Sequence, residues 1–128
     1  MTYLLDTHVF LWWITDNPKL SREARKVISD PANDLFLSTA GIWEIMIKTK
    51  IRKIGLPENS KEFIVDQISL NAINILNISI DHSFEIYSLP EIHKDPFDRM
   101  LIAQAKIEGL TIISADSFIR QYEINTYW

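Results

Sequence analysis

The sequence predicts an α/β protein built on a parallel sheet with helices on both faces. Short apolar runs at Tyr3-Leu4-Leu5, Leu35-Phe36-Leu37, Ile73 to Ile78 and Leu110 to Ile113 are too short for helices and read as buried strands. Longer helical patterns separate them, and strands alternating with helices build a parallel sheet. No repeat, low-complexity run or linker interrupts the chain, so residues 1–128 read as a single domain.

The first strand stops at Asp6. Val9 to Ile14 reads as a short helix, broken by Asp16-Asn17-Pro18. Ser21 caps a charged helix that runs to about Ser29 and ends at Asp30-Pro31. After the second strand, Ser38 or Thr39 caps a helix from Ala40 to about Ile51, and Gly55 and Pro57 punctuate the loop beyond it. Ser60 to Asn71 is amphipathic, with Phe63, Ile64 and Ile68 on one side. The third strand is followed by a helix over Asp81 to Leu89, which Pro90 ends. A helix from Pro96 to Glu108 follows a polar loop, and Gly109 closes it. Ile124 to Tyr127 reads as a short edge strand after the fourth.

Hydrophobic residues make up 47% and charged residues 23%, a globular rather than disordered balance. A net charge of -4 argues against a broad phosphate-gripping surface but leaves room for an acidic cluster neutralised by a cation. With no cysteine there can be no disulfide, thiolate metal site or thiol nucleophile. The first residues lack a basic leader and no apolar run is long enough to span a bilayer, so a cytoplasmic protein without membrane attachment is expected.

Chain direction gathers the carboxylates. In a parallel sheet each strand's C-terminal end and the next helix's N-terminal end share one edge, where ligands bind. Asp6 follows the first strand directly. Glu44 lies about one turn into the helix after the second. Asp98 is in the first turn of the helix that leads into the fourth strand, and Asp116 follows that strand. Four acids from four segments therefore project at one edge, with Asp95 close enough to be a fifth. Crowded carboxylates must gain a proton or share a cation. Oxygen donors alone favour Mg²⁺ or Mn²⁺, which can activate water for phosphodiester cleavage.

Each acid also has a structural use. Asp95 fits as an N-cap, with Pro96 at the first helical position and Asp98 in a turn favoured by the helix dipole. Asp6 suits a strand-end turn, Asp116 a loop turn, and Glu44 a surface pair with Lys48. Ser114 and Thr7 can orient neighbouring carboxylates. Lys48 begins the only basic run and can guide a nucleic-acid backbone, and Arg99 can pair with a carboxylate or touch phosphate. His8, His82 and His93 are spaced unlike a metal cluster and read as structural or surface residues.

At these residues the sequence resembles PIN-domain proteins, in particular the VapC-type toxins of bacterial type II toxin–antitoxin pairs. The matching pieces are Leu4-Leu5-Asp6-Thr7-His8; Ser38 through Trp43-Glu44-Ile45 with Lys48; Asp95-Pro96-Phe97-Asp98-Arg99 with Leu101-Ile102-Ala103-Gln104-Ala105; and Ser114-Ala115-Asp116 with Phe118. They span nearly the whole chain in the family's order. The resemblance implies a three-layer α/β/α sandwich with a mainly parallel five-stranded sheet. It implies a Mg²⁺- or Mn²⁺-dependent endoribonuclease acting on specific cellular RNAs, often tRNA. Asp6, Glu44, Asp98 and Asp116 take the family's catalytic and metal-binding places, with Asp95 a neighbour and Ser114 where many members carry threonine. It further implies a homodimer and a cognate VapB-like antitoxin whose C-terminal segment crosses the first helices and blocks the site. The apolar Phe10, Leu11, Trp12 and Trp13 would suit that surface.

Two other classes compete. A non-catalytic PIN-like module binding RNA or protein could lose site acids, yet all four are present. Receiver and phosphatase families carry paired acids or Asp-x-Asp after the first strand, whereas Asp6 is followed by Thr7 and His8.

Overall fold

The computed structural model describes all 128 residues. Five strands form one sheet: β1 (Thr2–Leu5), β2 (Asp34–Ser38), β3 (Asn74–Leu76), β4 (Thr111–Ile113) and β5 (Thr126–Tyr127). Every neighbouring pair is parallel, and the order across the sheet is β3-β2-β1-β4-β5. Six helices connect them: α1 (Thr7–Ile14), α2 (Arg22–Ser29), α3 (Thr39–Lys50), α4 (Ser60–Leu70), α5 (Ile80–Ser88) and α6 (Pro96–Glu108).

Successive strand residues point to opposite faces, and this sorts the apolar side chains into two cores. Tyr3 and Leu5 of β1, Leu35 and Leu37 of β2 and Ile113 of β4 enter one core, shared with Phe10 of α1, Ala24 of α2, Ile45 of α3 and Ile64 of α4. Leu4 of β1 and Ile112 of β4 enter the other, with Leu89 and with Leu101, Ile102 and Ala105 of α6. The three layers are thus α1 to α4, the sheet, and α5 with α6. The central strand β1 and Ile112 and Ile113 of its neighbour β4 are buried on both faces, which is why these runs are apolar without alternation.

Three strands are shorter than expected: β3 ends at Leu76 rather than Ile78, β5 begins at Thr126 rather than Ile124, and β3 and β4 each start one residue late because a helix end takes the first residue's N–H. Ile73 is buried, but its N–H donates to Ile68 O and closes α4, so β3 begins at Asn74. The N–H of Leu110 donates to Ala105 O and closes α6, so β4 begins at Thr111. Gly109 makes that closure in the left-handed region, at φ 67°. The first helix starts earlier than its apolar residues suggest, at Thr7, directly after the strand. Phe10 and Leu11 are buried in the core, so of the apolar quartet only Trp12 and Trp13 reach the surface. No helix is long and apolar enough to cross a membrane.

The chain runs outward from β1 through β2 to β3, then returns to lay β4 on the other side of β1. The order reverses between β1 and β4, and in open α/β sheets it is at such a point, outside the carboxyl ends of the strands, that a ligand crevice forms.

Candidate active site

Asp6 occupies that crevice. Its N–H donates to Ile113 O of β4 at 3.1 Å, which ties the end of one strand to the end of the next. Asp6 stands at the N-cap of α1 but its side chain makes no capping bond. Instead Oδ2 accepts from Ser114 Oγ at 2.6 Å, and Oδ1 is buried with no partner. Burial pushes the Asp6 carboxyl above its ordinary range, against the opposing pull of the Ser114 hydrogen bond. A buried carboxylate oxygen without a donor is costly unless a cation or proton meets it.

Ser114 serves two acids. Its hydroxyl donates to Asp6 and accepts from the Asp116 N–H at 3.0 Å. Asp116 is half-buried, and its Oδ1 accepts from the Phe118 N–H at 2.7 Å, so it makes the loop turn and faces the cluster as well.

Asp98 enters from α6. Asp95 caps that helix, with Oδ1 accepting from the N–H groups of Phe97 at 2.9 Å and Asp98 at 3.0 Å, and Pro96 takes a first-turn position that needs no N–H. Asp98 is only 9% exposed. Its carboxyl is pushed up to about 8, first by burial and then by Asp95, Asp6, Asp116 and Glu44. Four acids therefore act electrostatically on Asp98, and Asp116 acts on Asp6 as well. Glu44 is buried on α3 and forms a close ion pair with Lys48 one turn later. Lys48 is held above its ordinary range, chiefly by Glu44 and also by Asp95 and Asp98, which makes it the positive charge built into the acidic crevice.

The donor set is oxygen-only and suits a hard divalent ion. No three of the acidic or imidazole side chains converge tightly enough to enclose an ion by themselves. That fits Mg²⁺, which is usually held by one or two carboxylates and completes its shell with water and phosphate oxygens. The unpartnered Asp6 Oδ1 and the proton-retaining Asp98 are the groups a cation would relieve.

Two expected side-chain roles come out differently. Thr7 Oγ1 is buried and bonds to no carboxylate; it packs against Gly41, where a Cβ would lie 3.0 Å from it. Arg99 pairs with a carboxylate, that of Glu91 at 3.7 Å, as one of its two expected roles has it, and does not present its guanidinium to phosphate. It is 7% exposed, and its nitrogens hold Pro90 O at 2.8 Å, His93 O at 3.3 Å and the Tyr122 hydroxyl at 3.0 Å. It anchors the loop before α6 because unpaired carbonyls there would be costly. His82 is structural, as expected: it closes a capping box with Ser79 and meets Glu108 at 3.0 Å.

One residue at the site was not legible as such. His93 Nε2 lies 3.2 Å from Asp98 Oδ2, and its ring stacks on Phe118. Its distance of five residues from Asp98 spans a loop and a helix start, and no helical or strand periodicity links the two positions. The other contacts come from Phe118 and Tyr122, far along the chain.

The family model described as PIN domain matches residues 3–125, nearly the whole chain. The chain belongs to the PIN-domain family. Within it, the chain is similar to Ribonuclease VapC16 of Mycobacterium tuberculosis, 30% identical over 71 residues. That stretch is 52% of this chain and 49% of VapC16, so the chain spans about half the length of this curated relative. The structure of VapBC2 from Rickettsia felis bound to a DNA fragment from their promoter superposes with a TM-score of 0.73 at 14% identity, covering 99% of this chain and 98% of that one. A toxin-antitoxin complex from Klebsiella pneumoniae gives 0.66 at 20% identity, covering 98% and 96%. At those identities the likeness establishes the PIN fold over the full length of the chain.

Proposed function

We propose that this PIN-domain protein is a Mg²⁺- or Mn²⁺-dependent endoribonuclease and the toxin of a toxin–antitoxin pair. The observation that carries the reading is the gathering of buried Asp6, Glu44 and Asp98 with Asp116 at the strand-reversal edge, where Asp6 Oδ1 has no partner. The partial similarity to a ribonuclease of the VapC group supports the same choice of reaction.

Asp6 and Asp98 would hold the cation, with Asp116 and Glu44 completing the acidic wall. When bound, the ion supplies a water of lowered pKa and offsets charge on the phosphate. The remaining tasks fall to the chain. Ser114 fixes the Asp6 carboxylate through a 2.6 Å bond, so that its free oxygen faces the crevice. Asp95 sets the start of α6 and thereby the position of Asp98. Lys48, with its side chain 31% exposed, neutralises Glu44 and offers a phosphate contact at the rim.

An antitoxin segment belongs to the same proposal. A groove of about 470 Å³, lined by His8, Leu11, Trp12, Lys48, Ile54 and Leu56, lies beside α1 and meets the site at Lys48, the partner of Glu44. A peptide lying there would cover the site. The expected homodimer has a candidate face on α5, where Ile80, Phe84 and Tyr87 recur at helical spacing and are 68%, 67% and 96% exposed.

Expression in a bacterial host tests the function. The wild type should arrest growth and fragment RNA, and Asp6→Ala and Asp98→Ala should do neither. Arrest and fragmentation by both variants at the wild-type level would refute the proposal. Mapping fragment 5′ ends would then give the RNA and the cleavage position.

A further inference from the structure

Arg99, Tyr122, His93 and Asp98 form one hydrogen-bonded chain that ends in the acidic crevice. Arg99 Nη1 is 3.0 Å from Tyr122 Oη, which is 2.7 Å from His93 Nδ1. His93 Nε2 is 3.2 Å from Asp98 Oδ2. Arg99 is 7% and Tyr122 4% exposed, and the His93 side chain 10%, so water does not compete strongly for these bonds.

The direction of the chain follows from its first member. A guanidinium donates and never accepts. Tyr122 Oη therefore receives a hydrogen from Arg99 and has its own to give, and the acceptor in reach is His93 Nδ1. With Nδ1 accepting, the neutral imidazole carries its hydrogen on Nε2 and aims it at Asp98. An imidazolium would set two donors against the tyrosine oxygen and leave the phenolic hydrogen without its acceptor. The ring cannot easily turn away. Phe118 stacks on it at 5.2 Å and 11°, and Tyr122 meets it at 68°.

We propose that His93 is a positioning residue for Asp98: its Nε2–H, fixed in that tautomer by Arg99 and Tyr122, holds Oδ2 and leaves the other oxygen for the cation. The proposal rests on the reading of Asp98 as a metal ligand. Its physical logic is that a neutral donor orients the ionised carboxylate without adding a positive charge that would repel a divalent ion. Lys48, the cation that the acids hold above its ordinary range, is already occupied by Glu44. Partners of this kind typically contribute about 10–100-fold to metal affinity or activity.

The tautomer is tested without any metal, at a pH high enough to ionise Asp98. Long-range ¹H–¹⁵N NMR on the wild type should show His93 as the Nε2–H form, and Tyr122→Phe should give a mixture. Calorimetric Mn²⁺ titration supplies the second readout. His93→Leu should bind Mn²⁺ about tenfold or more weakly, and His93→Gln, whose amide reaches the Nε2 position, should recover most of the loss. An Nδ1–H tautomer in the wild type overturns the proposal. So does unchanged Mn²⁺ affinity in a folded His93→Leu, while a wild type that binds Mn²⁺ and cuts RNA leaves the nuclease reading standing. Should His93→Leu not fold, Tyr122→Phe decides: an unshifted tautomer with unshifted Mn²⁺ affinity overturns the proposal. A wild type that binds no Mn²⁺ at all removes the site reading and this role with it.

Discussion

Asp98→Asn in metal-free protein gives the sharpest consequence of crowding the carboxylates. The Asp98 carboxyl moves from 3.8 to about 8 on folding. Its folded value is raised, so the native protein keeps a proton that the unfolded chain releases. Stability is therefore lost as pH rises from about 4 to about 8, and the full cost is present above that window. At about 1.4 kcal/mol per unit, four units set a ceiling of about 6 kcal/mol. Water in an open crevice screens part of this, leaving roughly 2–3 kcal/mol. Asparagine has nearly the same shape and cannot ionise. For a chain of this size that difference corresponds to roughly 5–10 °C in Tm. Thermal melts in chelator should show Asp98→Asn and wild type close together near pH 5 and the variant clearly more stable near pH 8. Adding Mn²⁺ at pH 8 should raise the wild-type Tm and leave the variant nearly unmoved. The reasoning is refuted if the two proteins stay within about 1 °C of each other at both pH values, since a shift of that size implies well under 1 kcal/mol.

Three further substitutions separate the roles around the site. Ser114→Ala should weaken Mn²⁺ binding about tenfold, read by calorimetry, because Asp6 loses the donor that fixes it. Asp95→Asn keeps an efficient cap but removes a charge beside Asp98; Tm should hold within about 1 kcal/mol equivalent, and the Asp98 titration, followed by carboxyl NMR, should move down. Gly41→Ala places a Cβ 3.0 Å from Thr7 Oγ1 and should cost about 1–3 kcal/mol in chemical denaturation, with Thr7→Ala in the same chain recovering most of it.

Much of the fold was written in short-range pattern. The strands β1, β2 and β4 show as apolar runs because both of their faces are buried, and Ser21, Ser38, Asp95 and Gly109 mark helix ends by chemistry that acts within a few residues. Chain direction alone placed Asp6, Asp98 and Asp116 on one edge, since a parallel sheet leaves no other edge for them. What pattern could not reach was long-range pairing. Arg99 looked like a charged residue beside an acid, but the carbonyls that claim it, Ile86 in the last turn of α5 and Pro90 and His93 in the loop beyond, are brought to it by tertiary packing. His93 met Asp98 for the same reason. Thr7, expected to orient a carboxylate, instead packs where α1 closely approaches Gly41 on α3.

Cleavage of RNA by the purified protein, with and without divalent metal, bears most directly on the central claim. Wild type incubated with total RNA in Mn²⁺ or Mg²⁺ should yield discrete fragments. Chelator should abolish them, and Asp6→Asn and Asp98→Asn should yield none in either ion. Equal cleavage in chelator, or full cleavage by a folded Asp6→Asn protein, would contradict the account.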